Sequence, residues 1–461
     1  MSRRKESGPE ASRRGFLAAS GGMVAAAAFG RNAAAEAEGA KVGHAPHSAT
    51  EPFWGEHQSG IITPAQRHTY FAAFDLTATQ RNEVAMLLQA WTLAAARMAK
   101  GETAQPMESG LKPIVAEAGS TAVAKTGDAY PAKTDVAYEE PDASAEAADT
   151  GEAVGLSPAR LSLTFGFGAG LFVRDGKDRY GLARQRPAAL VDLPKFAGEQ
   201  LVEAHTGGDL SVQASADDPQ VAFHAVRQLA RLAGAVAQIR WAQTGFLPGS
   251  APGETPRNLM GFKDGTNNPR VSDPQAMAQV VWVGADGPDW MRGGSYLVVR
   301  RIRIALEHWD RMKVAFQEQT FGRHKSSGAP IGKAHEFDAL DLDATDKDGN
   351  PVIAQNAHVR LAAAANNGGA QILRRAYSYN DGVDFTAERW PPWRQGMEYD
   401  AGLLFLAYQS DPRSGFIRIF EKLAKFDMMN QFVTHVGGGL FACPRGAAKG
   451  EYIGQRLFET A

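Results

Sequence analysis

A chain of 461 residues, 44% apolar and 22% charged, has ordinary globular composition and length enough for a large core divided among two or three domains. Its net charge of −2, with no basic tract interleaved with aromatics, excludes bulk electrostatic attraction to nucleic acid or anionic membranes. One cysteine, Cys443, excludes an intrachain disulfide framework and a cysteine-rich metal site.

In chain order, the first element reads as an export signal. Ser12-Arg13-Arg14-Gly15-Phe16-Leu17 places paired arginines ahead of a weakly apolar stretch, Phe16 to Phe29, too short and small-sided for a permanent membrane span. Ala33-Ala34-Ala35, or Ala35-Glu36-Ala37, offers the cleavage site, so residues 1–35 are expected to be a twin-arginine signal peptide. That route accepts folded cargo, and it predicts a soluble mature protein in the periplasm or, failing that, outside the cell. A basic N-terminal tail is the competing reading. No other segment reaches transmembrane length.

Residues 36–60 read as a polar linker. His68 to Asp75 predicts a strand, and Thr79 to Ala99 an amphipathic helix capped by Thr79. Residues 101–152, rich in Ala, Glu, Thr, Asp and Gly without periodicity, read as a long surface insertion. Strands are predicted over Ala159 to Phe165 and Asp209 to Ala214, and one helix over Pro219 to Arg240, with Val221, Val226 and Leu229 on its apolar side. A second unit begins near Pro256. It holds predicted strands at Val280 to Val283, Ser295 to Leu306, His358 to Leu361 and Gly402 to Gln409, then a helix from Phe416 to Asn430. This mixture predicts an α+β fold with helices covering antiparallel sheets, in two related domains spanning 61–255 and 256–461.

Three segments carry residues suited to chemistry. In Gly261-Phe262-Lys263-Asp264-Gly265-Thr266-Asn267-Asn268-Pro269, glycines would let the backbone approach a flat ligand while the turn projects the Asp264 carboxylate; a plain surface turn fits the same residues. In Asn356-Ala357-His358-Val359-Arg360-Leu361, strand alternation would put Asn356, His358 and Arg360 on one face, where an imidazole can ligate haem iron and a guanidinium can reach a propionate. With 11 histidines in the chain, a hydrogen-bonded structural histidine also fits. In Ile372-Leu373-Arg374-Arg375-Ala376-Tyr377-Ser378-Tyr379, a fixed positive charge could polarise a peroxide, or the arginines could be an ion-paired or solvated pair.

Taken together, these segments resemble the dye-decolourising peroxidase family, in its secreted deferrochelatase/peroxidase branch. Gly261 to Pro269 matches the family's Gly-x-x-Asp-Gly signature, and Tyr180-Gly181-Leu182-Ala183, Val281-Trp282-Val283, Gly293-Gly294-Ser295-Tyr296, Phe321-Gly322-Arg323 and Gly402-Leu403-Leu404-Phe405 follow in order. The resemblance implies two ferredoxin-like domains, with haem b in the C-terminal one. It implies His358 as the axial iron ligand, Asp264 and Arg374 as the distal acid and arginine, and Arg360 as a propionate partner. Gly265, Thr266 and Asn267 would line the haem, Ala363 to Ala365 would lie near its edge, and Asp427 would hydrogen-bond the ligating imidazole. The implied substrates are hydrogen peroxide and an organic reductant such as a dye, phenolic or porphyrinogen, and relatives commonly form dimers. Tyr377, Tyr379, Trp390 and Trp393 read either as packing or as an electron relay. Two other functions stay open: a deferrochelatase that releases iron from haem, and a non-enzymatic haem or iron carrier serving an iron importer. A carrier needs His358 but has no use for Asp264 and Arg374.

Overall fold

Among the described residues, nine strands form one sheet that closes on itself: β1 (His68–Leu76), β2 (Ser162–Gly168), β3 (Leu210–Ala216), β4 (Ala237–Phe246), β5 (Ser295–Ile304), β6 (Leu373–Arg374), β7 (Tyr377–Ala387), β8 (Gln395–Gln409) and β9 (Val433–Cys443). The order is β5-β9-β2-β3-β1-β4-β7-β8-β6, and β5 also pairs with β8, so eight strands complete a ring and β6 lies outside it on β8. This computed structural model describes residues 49–106, 148–249, 251, 253–387 and 395–459, all within one unit. The predicted signal peptide, most of the 101–152 insertion, Trp390 and Trp393 lie outside the described residues.

Within the ring, the first half runs β4-β1-β3-β2 and the second β9-β5-β8-β7, with every pairing between strands antiparallel. The two halves meet at short seams, Phe167↔Ala442 and Gly168↔Phe441 on one side and Phe246↔Ser378 on the other. Helices α1 (Arg81–Met98) and α2 (Pro219–Ala233) cover the first half. The buried side of α1 includes Val84, Leu87, Leu88 and Trp91, and the Trp91 indole N–H donates to the Leu229 carbonyl of α2 at 2.8 Å. In the second half, α3 (His358–Ala362) and α4 (Arg418–Phe426) pack on one another.

Several elements differ from the sequence expectation, each for a local reason. Helix α1 starts at Arg81, where Gln80 and Glu83 form a reciprocal capping box in place of a Thr79 cap. The predicted Pro219 to Arg240 helix ends at Ala233, because Gly234 turns at φ +51° and the chain re-enters the sheet as β4. Val280 to Val283 is the end of a short helix and a turn, not a strand. The helix expected through Asn430 stops at Phe426, since Asp427 is extended and caps the next turn with its side chain. His358 to Leu361, expected as a strand, is the short helix α3.

At Gly438 in β9, φ is +140° and an added Cβ would meet the Val299 carbonyl oxygen at 2.0 Å. Both the backbone conformation and the strand spacing require glycine there. The Gly438→Ala variant is therefore expected to lose about 1–3 kcal/mol of stability or more, read as a fall in denaturation midpoint. An unchanged midpoint would contradict the close β5–β9 approach.

A charged cluster ties the last residues of the 101–152 segment to α2. His224 Nε2 lies 3.5 Å from Asp149, and its Nδ1 lies 3.3 Å from Glu152. Burial opposes the charge on His224, but the two carboxylates outweigh it and raise its pKa. Burial likewise opposes ionisation of both acids, yet hydrogen bonds bring each down to about 2: from His224, Gly151 and Ala104 for Asp149, and from Thr150, Glu152's own backbone and His224 for Glu152. A raised histidine pKa contributes stability below the unfolded value of about 6.5 and loses it as pH climbs through the folded value. The depressed acids contribute above the ordinary carboxylate range and lose their contribution as pH falls toward 2. Replacing His224 with leucine should thus cost more stability at pH 5 than at pH 8. Equal losses at the two pH values would show that the imidazole is neutral in this cluster.

Candidate active site

The site is built around α3. Ala357 is extended, and His358 is the first residue of the helix. The helix stays short because Asn366 and Asn367 donate their side-chain amides to the carbonyls of Arg360 and Leu361, at 2.7 Å each. His358 Nδ1 sits 2.6 Å from Asp427 Oδ2, while Asp427 Oδ1 accepts the Met429 backbone N–H at 2.8 Å. The carboxylate, held from both sides and buried, therefore fixes the ring's orientation and commits Nδ1, leaving Nε2 for a ligand. Burial disfavours the imidazolium, but Asp427 prevails and raises the His358 pKa.

Asp264 lies on a loop held over a small apolar cluster. Phe262 stacks on Phe321 at 3.9 Å, and the Trp309 indole donates to the Met260 carbonyl at 3.0 Å. Gly265 turns the chain at φ +121°, a conformation that favours glycine. Arg374 comes from β6, whose pairing with β8 at Ala407 sets its height along the sheet. The Arg374 Nη1 donates to Asp264 Oδ1 at 2.7 Å, and Asn258 Nδ2 lies 3.4 Å from Asp264 Oδ2. Asn268 then locks the loop to the strand: its amide nitrogen donates to the Arg374 carbonyl at 2.8 Å, and its oxygen accepts the Arg374 N–H at 3.2 Å.

These groups face one cavity, which encloses about 1610 Å³ of empty space with its open mouth included. His358, Asp427, Asp264, Gly265, Thr266, Asn267 and Arg374 all line it. Ile302, Leu403, Phe405, Ile419, Phe420, Leu423 and Val433 supply an apolar wall, as a flat hydrophobic ligand requires. Among the three expected edge residues, Ala364 lines the cavity. Arg360 does not. The alternation that would align it with His358 belongs to a strand, and in a helix residues two apart diverge. Its Nε donates to the Ile353 carbonyl at 2.9 Å, while its buried Nη2 has no hydrogen-bond partner among the described residues.

Sequence reasoning gave no role to several residues that line or clamp the cavity, among them Asn258, Asn268, Arg323 and His435. Asn268 stood inside the glycine-rich signature, and Arg323 inside the Phe-Gly-Arg match, so both were visible without a role. His435 carried no local signal. Its buried Nδ1 has no hydrogen-bond partner among the described residues, and burial, aided by the nearby Arg300 charge, pushes its pKa down to about 3. Tyr377 and Tyr379 are buried in the sheet, Tyr379 with its ring under the Arg301 guanidinium, an arrangement that accounts for them as packing residues.

Comparison with known proteins converges on one family. Residues 58–247 match the profile described as Dyp-type peroxidase, N-terminal, and residues 255–448 the one described as Dyp-type peroxidase, C-terminal. The chain is 38% identical over 417 residues to a dye-decolorizing peroxidase of Thermobifida fusca, covering 87% of this chain and 84% of that protein. It is 33% identical over 420 residues to a deferrochelatase of Escherichia coli K12, covering 89% and 88%. Among solved structures, ferric DtpA from Streptomyces lividans superposes with a TM-score of 0.73 at 39% identity, covering 90% of this chain and 98% of that one. A DyP-type peroxidase from Streptomyces coelicolor gives 0.74 at 39% identity, again covering 90% and 98%.

Proposed function

The chain belongs to the Dyp-type peroxidase family, whose members are haem peroxidases, and from that premise we propose that His358 ligates the haem iron while Asp264 and Arg374 cleave the peroxide bond. The observation that carries this reading is the 2.7 Å Arg374–Asp264 pair facing the same cavity as the 2.6 Å His358–Asp427 pair. The cavity suits haem on its own chemistry. One imidazole nitrogen is committed to a carboxylate and the other is available, and the wall around them is apolar. Arg323, which lines the cavity, takes the propionate role in place of Arg360.

When bound, haem supplies an open iron coordination position and the redox capacity for peroxide reduction. The protein's own part is proton handling and charge. Hydrogen peroxide must lose a proton from one oxygen and gain one on the other, so that water departs as the O–O bond breaks. An Asp264 carboxylate oxygen accepts that proton and returns it. The Arg374 guanidinium stabilises the negative charge that develops as the oxygens separate. Asp427, by accepting the His358 Nδ1 proton bond, makes the imidazole a stronger donor through Nε2. Electrons come from an organic reductant.

Arg374→Leu is expected to slow reaction with peroxide by about 10²–10³-fold while the haem stays bound, measured by stopped-flow absorption. An unaltered rate would remove Arg374 from the chemistry. For the function as a whole, the test is the absorption spectrum of the purified protein before and after one equivalent of hydrogen peroxide. A Soret band that shifts and then returns on adding a phenolic reductant supports the peroxidase. A band indifferent to peroxide would overturn it in favour of a carrier. Metal-free porphyrin as product would favour the deferrochelatase, the name its Escherichia coli relative bears. A carrier would have no task for the distal pair, and that favours catalysis.

We extend the reading in three further respects. The strand orders β4-β1-β3-β2 and β9-β5-β8-β7 support two ferredoxin-like units. The paired arginines at Arg13-Arg14 support twin-arginine export to the periplasm or beyond. Without disulfides, an exported protein gains stability through burial, which fits a homodimer; iron-uptake components are partners only under the deferrochelatase reading.

A further inference from the structure

Asp264 has one charged partner in Arg374, but its loop is also gripped from outside the cavity. Glu336 lies on the segment between Arg323 and α3, 70 residues along the chain from Thr266 and 73 from Lys263. Its carboxylate takes Lys263 Nζ on one oxygen at 2.5 Å and the Thr266 hydroxyl on the other at 2.9 Å. Those two residues bracket Asp264-Gly265. Only 10% of the Glu336 side chain and 14% of the Lys263 side chain are exposed, so the pair is largely shielded from water. Glu336 is itself fixed: Arg323 Nη1 donates to its backbone carbonyl at 2.9 Å and to that of Gly328 at 2.7 Å. Burial disfavours the carboxylate, but hydrogen bonds from Lys263, Thr255 and Thr266 prevail and hold its pKa below the ordinary value.

We propose that Glu336 is a positioning residue for Asp264, clamping the loop on both sides of the acid so that its carboxylate stays aimed into the cavity. Gly265 at φ +121° gives the loop a pivot beside Asp264, and a pivot left free would let the carboxylate swing. A bidentate carboxylate reaching across the pivot removes that freedom, as a proton-transfer group requires. No other carboxylate touches both Lys263 and Thr266 among the described residues.

This role rests on Asp264 acting on peroxide, so the test pairs a catalytic readout with one independent of turnover. Holoenzyme is prepared as wild type, Glu336→Ala, Lys263→Met, Asp264→Asn and the Glu336→Ala/Asp264→Asn double variant. Amide hydrogen exchange over residues 261–268 and the stopped-flow rate with peroxide are then measured. Glu336→Ala is expected to speed exchange in that loop and to slow the peroxide step by about 10- to 100-fold, leaving the Soret position and the KM for the organic reductant unchanged. In the Asp264→Asn background the same change should slow the peroxide step no further. If exchange rises but the double variant is slower than Asp264→Asn alone, Glu336 acts through something other than Asp264 and the proposal falls. Exchange and rate both within twofold of wild type, in Glu336→Ala and Lys263→Met alike, would also overturn it. Should Glu336→Ala fail to fold, Lys263→Met removes one arm of the clamp and carries the same test. A protein inert to peroxide would refute the peroxidase reading, while the exchange data would still report on the clamp.

Discussion

In the Asp264→Asn variant, reaction with hydrogen peroxide is expected to slow by about 10²- to 10⁴-fold while haem remains bound. Asparagine keeps the size of the side chain and an oxygen that can accept from Arg374 Nη1, so the 2.7 Å contact has an uncharged replacement. The Asn258 amide, 3.4 Å from the other carboxylate oxygen, sits just beyond a good hydrogen bond, so little binding is lost there. What disappears is the ability to take a proton and return it. The loss should therefore fall on the peroxide step, with the Soret band of the resting protein unchanged and reduction by the organic donor unaffected. Stopped-flow absorption separates these steps. A wild-type rate in this variant would assign the proton transfer elsewhere.

The second large effect is on cofactor binding. His358→Ala should abolish the wild-type iron ligation, with haem lost on gel filtration or its Soret band displaced. Asp427→Asn should retain haem but weaken binding or activity by about 10- to 100-fold, because the imidazole loses its anionic partner. The grading matters, since a second histidine, His435, lines the same cavity. That residue lies against Phe420, with ring centroids 4.5 Å apart, and lacks a carboxylate to orient it. His435→Leu should leave the iron ligation intact. A Soret band that vanishes in His435→Leu and persists in His358→Ala would exchange the two assignments.

Much of the site was legible because its residue types are chemically specific. The glycine-rich turn offered Asp264 and the arginine pair offered Arg374, each beside a plainer reading, and the family resemblance selected them. His358 stood out only beside those two, since a single histidine among 11 carries little weight. Asp427 could be nominated through the family resemblance alone. Its effect depends on an end-of-helix position, where Oδ1 caps Met429 and Oδ2 is left pointing at the imidazole. Glu336 was invisible because a lone carboxylate in a polar loop looks like solvated surface until the fold closes it over Lys263 and Thr266.

Secondary structure was misread where tertiary packing overrode a local pattern. Alternation over His358 to Leu361 fits a strand of four residues as well as a helical turn, and length could not arbitrate. Packing of α3 against α4, and the asparagine caps that follow it, decided for the helix. Four strands went unpredicted: β4, hidden by an extended helical pattern; β6 and β7, read only as an arginine–aromatic run; and β9, whose run of Gly437, Gly438 and Gly439 has poor strand propensity. Those glycines serve the close approach to β5, a need that exists only once the two strands are side by side.

By itself the sequence determined the apolar composition, the absence of covalent staples and much of the strand-and-helix vocabulary of each half, and through its family resemblance it nominated Asp264, Arg374 and His358 as candidates. The tertiary structure alone decided that the halves close into one eight-stranded ring, that Arg374 meets Asp264 across 110 residues, and that Asp427 meets His358 across 69. Residue chemistry is local and can be read in order along a chain. Proximity between distant residues is created by burying apolar surface and pairing backbone groups, and no stretch of sequence carries it alone.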